Sequence, residues 1–558
     1  MKLTSALSLA LLCAAGSLHA ADVVFLGDNI VTMDPELRDR EPTAVAIEGD
    51  RIVWTGARDQ HEQWVKGNTE VIELGDRALL PGFIDAHGHF TFTAATVDLA
   101  NVASPPVGPV TDIASLKRTL LKYIDENEIP EGEWVVGFGY DDSLLAEGRH
   151  PNRADLDEVS EKHPIVLGHV SGHLATTNSM ALERAGITAA IQDPPGGHIR
   201  RTEDGQPNGV LEESATYSVR AFMFQSRDPV GAFQRAQDVY AAFGVTTVQD
   251  GFTAPEGLIG LKQAAASGAL KLDIVSYPGA NPEKPQPRDT LGLGGYNNRL
   301  KIAGVKLMLD GSPQGKTAYL TRPYHVPPQG KDESYRGYPA VPQATVDNMV
   351  SHFIDEGVPM IAHANGDAAG DMLINAVKGA LEGHADADHR TVMIHAQTMR
   401  EDQVRDMAEL DMIPSYFSAH KFYWGDWHRD SVLGAERARN ISPSAWTLAY
   451  GGRFTVHNDS PVVPADMIRL LWAATNRKTR SGKTLGHAQR IGTYAALRAM
   501  TLDAAYQSFD EDLKGSIRAG KQADLVVLSA NPLLTPRADL LDLNVLRTYS
   551  RGVLVHAQ

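Results

Sequence analysis

The stretch LPGFIDAHGH, residues 80–89, is the most informative segment of the sequence for the fold. An apolar run ends there in two histidines spaced i and i+2, so in a strand His87 and His89 share one face. Two imidazoles at the carboxyl end of a barrel strand make half of a metal site. Chance pairs are common in a chain with 20 histidines, but the position directly after this apolar run makes the pair specific.

Seven further apolar, β-rich runs follow along the chain, and helix-like segments separate several of them. They are Val245–Gln249, Leu270–Ser276, Ile302–Leu309, Val358–Ala362, Thr391–Ile394, Met412–Phe417 and Arg453–Val456. With Leu79–Ala86 as the first strand, they predict an α/β fold, a parallel (β/α)8 TIM-like barrel over residues 79–504. The first two runs lie too far apart for one crossover, so we expect an insertion at about 100–228 that caps the barrel mouth.

The two ends of the chain have short β-branched runs of their own. Val23–Val31, Thr43–Ile47 and Arg51–Thr55 lie near the start, and similar runs lie between residues 515 and 558. Neither piece is long enough for a sandwich alone. We therefore expect residues 21–78 and 505–558 to build one small β-sandwich domain together.

The first twenty residues, MKLTSALSLALLCAAGSLHA, have the pattern of a secretory signal peptide. This segment predicts a periplasmic or secreted protein. The single cysteine, Cys13, lies inside it. Any metal in the mature chain must then be held by His, Asp, Glu or a modified Lys.

Charge and hydropathy exclude several classes of protein. The 52 basic and 69 acidic residues give a net charge of −17, which argues against a nucleic-acid or anionic-membrane surface. No apolar run reaches the roughly 18–20 residues that span a bilayer. The expected partner is a small-molecule substrate, and a homodimer stays open.

Further candidate ligands stand at the ends of later strands. His363 and His395 each close an apolar run, and Asp459 follows the last run in the segment HNDS. A structural histidine or a capping aspartate would explain any one of them, whereas all the strand ends together favour a metal site. Lys306 lies on the fourth strand, where a bridging carboxylate is missing. Its amine either takes up CO₂ as a carbamate, or stays an ammonium that pairs with a barrel carboxylate or binds substrate.

These motifs resemble the amidohydrolase superfamily, specifically the amidohydrolase-3 group with its N-substituted formamide deformylases, YtcJ-like proteins and AepA-like secreted members. The resemblance extends from about Val23 to Val555. Its motifs are PGFIDAHGH, GVTTVQD, KLMLDGSPQGKTAYLTRPY, AHANGDAA, MIHAQ, HNDSP and GSIRAGKQADLVVL. They are specific for the fold and the site, and much less so for the substrate.

The resemblance implies a centre of two divalent ions, with zinc as the expected metal. His87 and His89 would bind one ion, and His363 and His395 the other. A carboxylated Lys306 would bridge the two ions. The family's last-strand aspartate, a metal ligand that also shuttles protons, corresponds to Asp459.

The same resemblance implies a hydrolase of non-peptide C–N bonds, in N-substituted amides or formamides, that acts through a metal-activated hydroxide. Two alternatives stay open. One is a deaminase, or a cyclic amide or ester hydrolase, that uses the same site. The other is a catalytically idle member that serves as a binding or regulatory protein.

Six residues are candidates for contact with substrate. His169 and His173 lie in the cap, Asp310 and Arg322 follow the fourth strand, and Trp424 follows the seventh. For these five a structural role is the alternative. The sixth, His457, stands where the family usually has a small residue. Since it shares a face with Asp459, it could narrow the pocket, contact substrate or replace a ligand.

Overall fold

The computed structural model describes residues 21–38, 40–172, 174–194, 197–223, 228–328 and 330–558. The predicted signal peptide and His173 lie outside these ranges. Within them, no helix combines the length and the apolar character needed to cross a membrane.

The strands and helices are numbered in chain order. The strands are β1 (Val23–Leu26), β2 (Ala44–Glu48), β3 (Arg51–Gly56), β4 (Glu70–Glu73), β5 (Ala78–Pro81), β6 (Phe83–Asp85), β7 (Ala100–Asn101), β8 (Val135–Tyr140), β9 (Ile165–His169), β10 (Leu174–Thr177), β11 (Gly197–Arg201), β12 (Pro207–Glu213), β13 (Val245–Thr253), β14 (Asp273–Pro278), β15 (Leu300–Ile302), β16 (Val305–Met308), β17 (Met360–Ala364), β18 (Val392–His395), β19 (Ile413–Tyr416), β20 (Thr455–Val456), β21 (Leu525–Leu528), β22 (Val545–Ser550) and β23 (Val553–Ala557). The α-helices are α1 (Phe90–Thr96), α2 (Ile113–Glu126), α3 (Arg153–Asp157), α4 (Ser179–Arg184), α5 (Tyr217–Met223), α6 (Pro229–Ala242), α7 (Pro255–Ala266), α8 (Arg288–Leu291), α9 (Gln343–Asp355), α10 (Asp367–Leu381), α11 (Glu401–Glu409), α12 (His420–Trp427), α13 (Gly434–Ala438), α14 (Ser444–Ala449), α15 (Met467–Asn476), α16 (Thr493–Ala499) and α17 (Leu502–Gln507).

Every apolar run expected to form a barrel strand contains a parallel strand. One sheet has the order β15-β14-β13-β6 and a second has the order β16-β17-β18-β19-β20. A parallel bridge between Gly279 and Lys306 connects β14 to β16. At the other end, the backbone N–H of Asp459 donates to the carbonyl of His87 over 3.0 Å. The carboxyl ends of all these strands therefore meet in one region, where a site can form.

The expected first barrel strand, Leu79–Ala86, is divided between two sheets. Its first part, β5, pairs antiparallel with β21, and its second part, β6, pairs parallel with β13. The division falls at Gly82, where a Cβ atom would lie only 2.4 Å from the side chain of Thr246. Only glycine permits this close approach, so the chain can pass from the terminal sheet into the parallel one.

The two termini build neighbouring antiparallel sheets. Their orders are β3-β2-β1-β4 and β23-β22-β21-β5. Buried apolar side chains from both sheets share one core, which includes Phe25 and Leu525. Phe25 contacts the ring of Tyr549 edge to face, with centroids 5.4 Å apart.

The interval between β6 and β13 holds a separate sheet of the order β11-β12-β10-β9-β8-β7, with helices α2 to α5 around it. Helix α2 begins at a capping box, because the side chain of Asp112 accepts the backbone N–H of Ser115 over 2.6 Å. We call this segment, from β7 to α5, the cap.

A buried ionic cluster joins the C-terminal segment to the parallel strands. Asp273 on β14 accepts hydrogen bonds from Lys514 and from Arg551, whose Nη2 lies 2.9 Å from Oδ1. Burial would raise the pKa of Asp273, but the two cations outweigh it and hold that pKa below its usual value. The carboxylate is therefore ionised and paired.

Replacing Asp273 with Asn should lower the free energy of unfolding by about 3–5 kcal/mol, because the buried Lys514 and the partly exposed Arg551 lose the counter-charge that they share. Urea denaturation followed by fluorescence measures the change. The matched control is Asp98→Asn, whose partner Arg235 is 43% exposed. That variant should lose much less stability, because solvent screens an exposed pair, and equal losses in the two variants would contradict the assignment.

Candidate metal centre

The strand ends bring together the six predicted metal ligands. They lie after β6, on β16, on β17, at the end of β18 and after β20, and they are His87, His89, Lys306, His363, His395 and Asp459. Five of them line one cavity of about 850 Å³, and His87 lies fully buried directly beneath them.

The first half of the centre contains His87, His89 and Asp459. Oδ1 of Asp459 lies 3.1 Å from His89 Nε2 and 3.6 Å from His87 Nε2. The other ring nitrogen of His87, Nδ1, lies 2.7 Å from Oε1 of Gln249. An amide oxygen can only accept, so Nδ1 carries the proton and the Nε2 lone pair faces the centre.

Asp459 is held in a backbone conformation that aims its carboxylate inward. Its φ of 58° lies in the left-handed region, which aspartate tolerates better than most residues. Burial alone would raise the pKa of Asp459. Close contact with His89, together with the nearby His457 and Lys306, outweighs burial and holds that pKa below its usual value. Its buried Oδ1 receives no well-aligned hydrogen bond within the described ranges. An ionised oxygen beside the inward lone pair of His87 is the arrangement that a cation completes.

The second half contains His363 and His395. Nδ1 of His363 lies 3.2 Å from Nε2 of His395. The outer nitrogen of His363, Nε2, lies 3.0 Å from the carbonyl oxygen of Gly311 and 3.1 Å from Nδ2 of Asn365, which itself donates to that carbonyl. Since the carbonyl can only accept, a proton on Nε2 satisfies it, and Nδ1 then offers a lone pair. Two nitrogens on one tetrahedral zinc ion are about 3.3 Å apart. The observed spacing of the two ring nitrogens matches that distance.

Lys306 is buried and touches the first half of the centre. Its Nζ lies 3.1 Å from Nε2 of His87. Burial lowers the pKa of Lys306 to about 7. A large fraction of the amine is thus neutral near pH 7, which is the form that reacts with CO₂.

The cavity above these residues is shared by the strand ends and the cap. Its apolar wall comprises Phe92, Phe233, Phe252, Met308 and Phe417. The cap side comprises Ser171, Gly172, Glu213, Thr216, Tyr217 and Arg220. Side chains of the cap and of the strand ends therefore face each other across one cavity.

His457 lies behind His395, outside the residues that line the cavity. It is fully buried, with Nε2 3.1 Å from Nδ1 of His395 and Nδ1 2.8 Å from Oγ of Ser415. Burial lowers the pKa of His457 to about 3, so the ring is neutral.

Two other candidates for substrate contact, Asp310 and His169, instead make hydrogen bonds within the protein. Asp310 is buried and accepts the backbone N–H groups of Tyr319, Asn365 and Gly366 over 2.8 to 3.0 Å. Burial raises the pKa of Asp310 to about 7. In the cap, His169 lies 3.1 Å from Oδ1 of Asp142. Neither side chain lines the cavity.

The structure places Arg322 and Trp424 away from the cavity. Arg322 lines a separate cavity of about 270 Å³, because its loop turns outward after the fourth strand. Trp424 packs 4.5 Å from the ring of His420, and it is His420 that reaches the cavity. His173 lies outside the described residues.

No role is predicted from the sequence for the groups that orient the histidines. Gln249 is the polar residue that ends the apolar run GVTTVQ, and that position at the end of an expected strand could have indicated a role in the site. Ser415 and the carbonyl of Gly311 carry no such signal. Their partners lie 42 and 52 residues away in the chain.

Replacing Gln249 with Leu should weaken metal binding by about 10–100-fold, since the proton on His87 Nδ1 loses its acceptor. Competition with a zinc chelator measures the affinity. Gln249→Glu keeps an acceptor oxygen and should bind metal much as the unmodified protein does. Equal affinities in the Leu and Glu variants would refute this role for Gln249.

Comparison with known proteins agrees with this geometry. A model of the amidohydrolase family, amidohydrolase-3 group, matches residues 70–556. The chain is 27% identical to N-substituted formamide deformylase of Arthrobacter pascens, over 96% of this chain and 98% of that protein. It is 25% identical to putative amidohydrolase YtcJ of Bacillus subtilis (strain 168), over 92% and 96% of the two chains.

A solved structure shows the fold. An uncharacterized metal-dependent hydrolase from Pyrococcus horikoshii OT3 superposes with a TM-score of 0.72, over 92% of this chain and 99% of that one, at 22% identity. This likeness supports the predicted (β/α)8 TIM-like fold. The family match over most of the chain, together with the histidines at the strand ends, shows that the protein belongs to the amidohydrolase family.

Proposed function

We propose that this protein is a metal-dependent amidohydrolase that cleaves a non-peptide C–N bond in an N-substituted amide or formamide. The observation that carries the proposal is the set of ligand atoms on the cavity floor. Gln249 and the Gly311 carbonyl turn a lone pair of His87 and of His363 inward, and the ionised Asp459 lies within 3.6 Å of His87 and 3.1 Å of His89. In the proposal, His87 and His89 hold one divalent ion, and His363 and His395 hold the other.

Lys306 completes the proposed centre as a carbamate. A carbamate supplies two oxygens and a negative charge, which screens the repulsion between two cations. The burial that lowers the amine pKa to about 7 favours its formation. Zinc is the metal we propose, because imidazole and carboxylate oxygens at this spacing suit it.

The chain's own residues supply proton transfer and positioning. A divalent ion, when bound, lowers the pKa of water toward about 7 and polarises a carbonyl. Asp459 is ionised and lines the cavity, so it can accept the proton of an attacking water. It then returns that proton to the departing nitrogen, which otherwise leaves poorly.

The cavity supports an N-substituted substrate. At about 850 Å³ it is far larger than a formyl group needs and lies in the range of sites for drug-sized molecules. Its aromatic wall suits an apolar substituent. The relative that is a formamide deformylase covers nearly the whole chain, which supports the same bond type.

The finer architecture belongs to the same proposal. We infer that the parallel strands close into a barrel through the bridge at Lys306 and the hydrogen bond between Asp459 and His87. We also infer that the terminal sheets, which share one core, form a β-sandwich. The N-terminal twenty residues would direct the protein to the periplasm or beyond.

Asp459→Asn should lower kcat by about 10²–10⁴-fold, because the amide cannot take a proton from water. The assay is release of amine from N-substituted formamides by the metal-loaded protein. Asp142→Asn in the cap, whose side chain lies outside the cavity, serves as the control and should keep full activity. Full turnover by Asp459→Asn would refute the proton-transfer role.

Lys306→Ala should lose activity and regain part of it when acetate or propionate is added, since a free carboxylate can occupy the bridging position. Activity with and without the added acid is the measurement. Lys306→Arg keeps a cation but cannot form a carbamate, and it should stay inactive without the acid. Unchanged activity in Lys306→Arg would show that a plain cation suffices.

A substrate panel distinguishes the proposed bond type from its alternatives. N-substituted formamides and amides should be hydrolysed, with apolar substituents preferred. Turnover confined to cyclic amides, esters or aminated rings would replace the proposal with the other reactions. No turnover by a metal-loaded protein would favour a binding or regulatory role.

A further inference from the structure

The imidazole of His457 stands where the resembled family usually has a small residue. Each of its two ring nitrogens contacts a polar atom of another side chain. Its Nε2 lies 3.1 Å from Nδ1 of His395, and its Nδ1 lies 2.8 Å from Oγ of Ser415. A small residue would leave the outer nitrogen of His395 without this partner. The contact therefore has a consequence for His395.

His395 can bind an ion through Nε2 only if its proton sits on Nδ1, because a neutral imidazole carries one N–H. Nδ1 then donates to the nearest acceptor, which is Nε2 of His457. That acceptor is available when His457 holds its own proton on Nδ1. Oγ of Ser415 lies at 2.8 Å to receive it. One proton assignment thus satisfies the whole series from Ser415 to His395.

The same geometry argues against His457 as a ligand. The outer nitrogen of His363 faces the carbonyl of Gly311, so Nδ1 is its ligand atom and points toward Nε2 of His395. An ion bound there lies on the side of His395 away from His457. His363 and His395 line the cavity, whereas His457 is fully buried behind them.

The chain uses an equivalent contact in the other half of the centre. Oε1 of Gln249 accepts from Nδ1 of His87 over 2.7 Å, and this fixes which nitrogen of His87 faces inward. Groups that orient ligand histidines typically change metal affinity by about 10–100-fold when they are removed. The contact of Gln249 with His87 therefore indicates that His457→Gln should preserve the orientation of His395.

We propose that His457 is a positioning residue that holds the tautomer and ring orientation of His395, with Ser415 orienting His457 in turn. The inference rests on the proposed metal centre, because it concerns the nitrogen that His395 offers to an ion. It assigns a role to a residue by which this chain departs from the family pattern.

Three variants test the inference. His457→Phe keeps the ring shape without an acceptor, His457→Gln copies the contact that Gln249 makes, and Ser415→Ala removes the partner of His457. Zinc affinity is measured by chelator competition on the full chain, and circular dichroism of the metal-free forms checks folding. His457→Phe should bind one of the two ions, the one that His363 and His395 hold, about 10–100-fold less tightly. His457→Gln should stay near the unmodified protein.

A spectroscopic readout separates positioning from simple packing. In the Co²⁺-loaded protein, the Nδ1 proton of a cobalt-bound histidine gives a strongly shifted NMR signal that disappears on exchange with D₂O. One such signal should broaden or vanish in His457→Phe and persist in His457→Gln. The other shifted signals should be the same in both variants.

Several outcomes would overturn the inference. Unchanged affinity and signals in His457→Phe would show that His457 orients nothing. Loss of one ion in both the Phe and Gln variants would make His457 a ligand. If His457→Phe does not fold, Ser415→Ala decides, since unaltered affinity there would also count against the series. Failure of the unmodified protein to bind two ions would instead refute the proposed centre.

Discussion

The outer nitrogens of His87 and His363 each make a hydrogen bond, and these two bonds set which ring lone pairs face the site. Gln249 holds His87 in this way and the carbonyl of Gly311 holds His363. An imidazole has a single proton when neutral, so a proton fixed outside leaves a lone pair inside. Lone pairs and an ionised carboxylate that converge in a buried space repel one another. A bound cation resolves that repulsion, which ties the orientation of each ring to metal binding.

The fold makes these hydrogen bonds possible, because the histidines lie at strand ends and their partners lie in elements that are distant in the sequence. Parallel strands deliver the ligands to one region, and the groups that orient them come from neighbouring strands or loops. Gly82 lets the chain leave the terminal sheet and enter the parallel one immediately before His87. The buried cluster around Asp273 then fixes the C-terminal segment against the same strands. The cap contributes side chains that line one side of the cavity, and the predicted metal ligands come from the strand ends.

Much of this could be predicted because strand patterns are local. The HxH pair and the residues that close apolar runs, such as His363 and His395, have their positions set by period-two geometry and by the carboxyl ends of parallel strands. Loop residues are different, because the direction of a loop depends on its packing. Arg322 turns into a separate cavity, and His420 reaches the site where Trp424 was expected. The partner of His457 could not be predicted either, since Ser415 lies on another strand.

In the proposed centre, the strand ends hold two divalent ions per chain. Elemental analysis of the protein, purified without chelators and quantified by amino-acid analysis, measures this number directly. We predict about two transition-metal ions per chain, with zinc as the main element. A single ion would remove the need for a bridging Lys306. If the protein contains no metal and takes up none from added zinc or manganese, the proposed centre and the hydrolysis that depends on it are both contradicted.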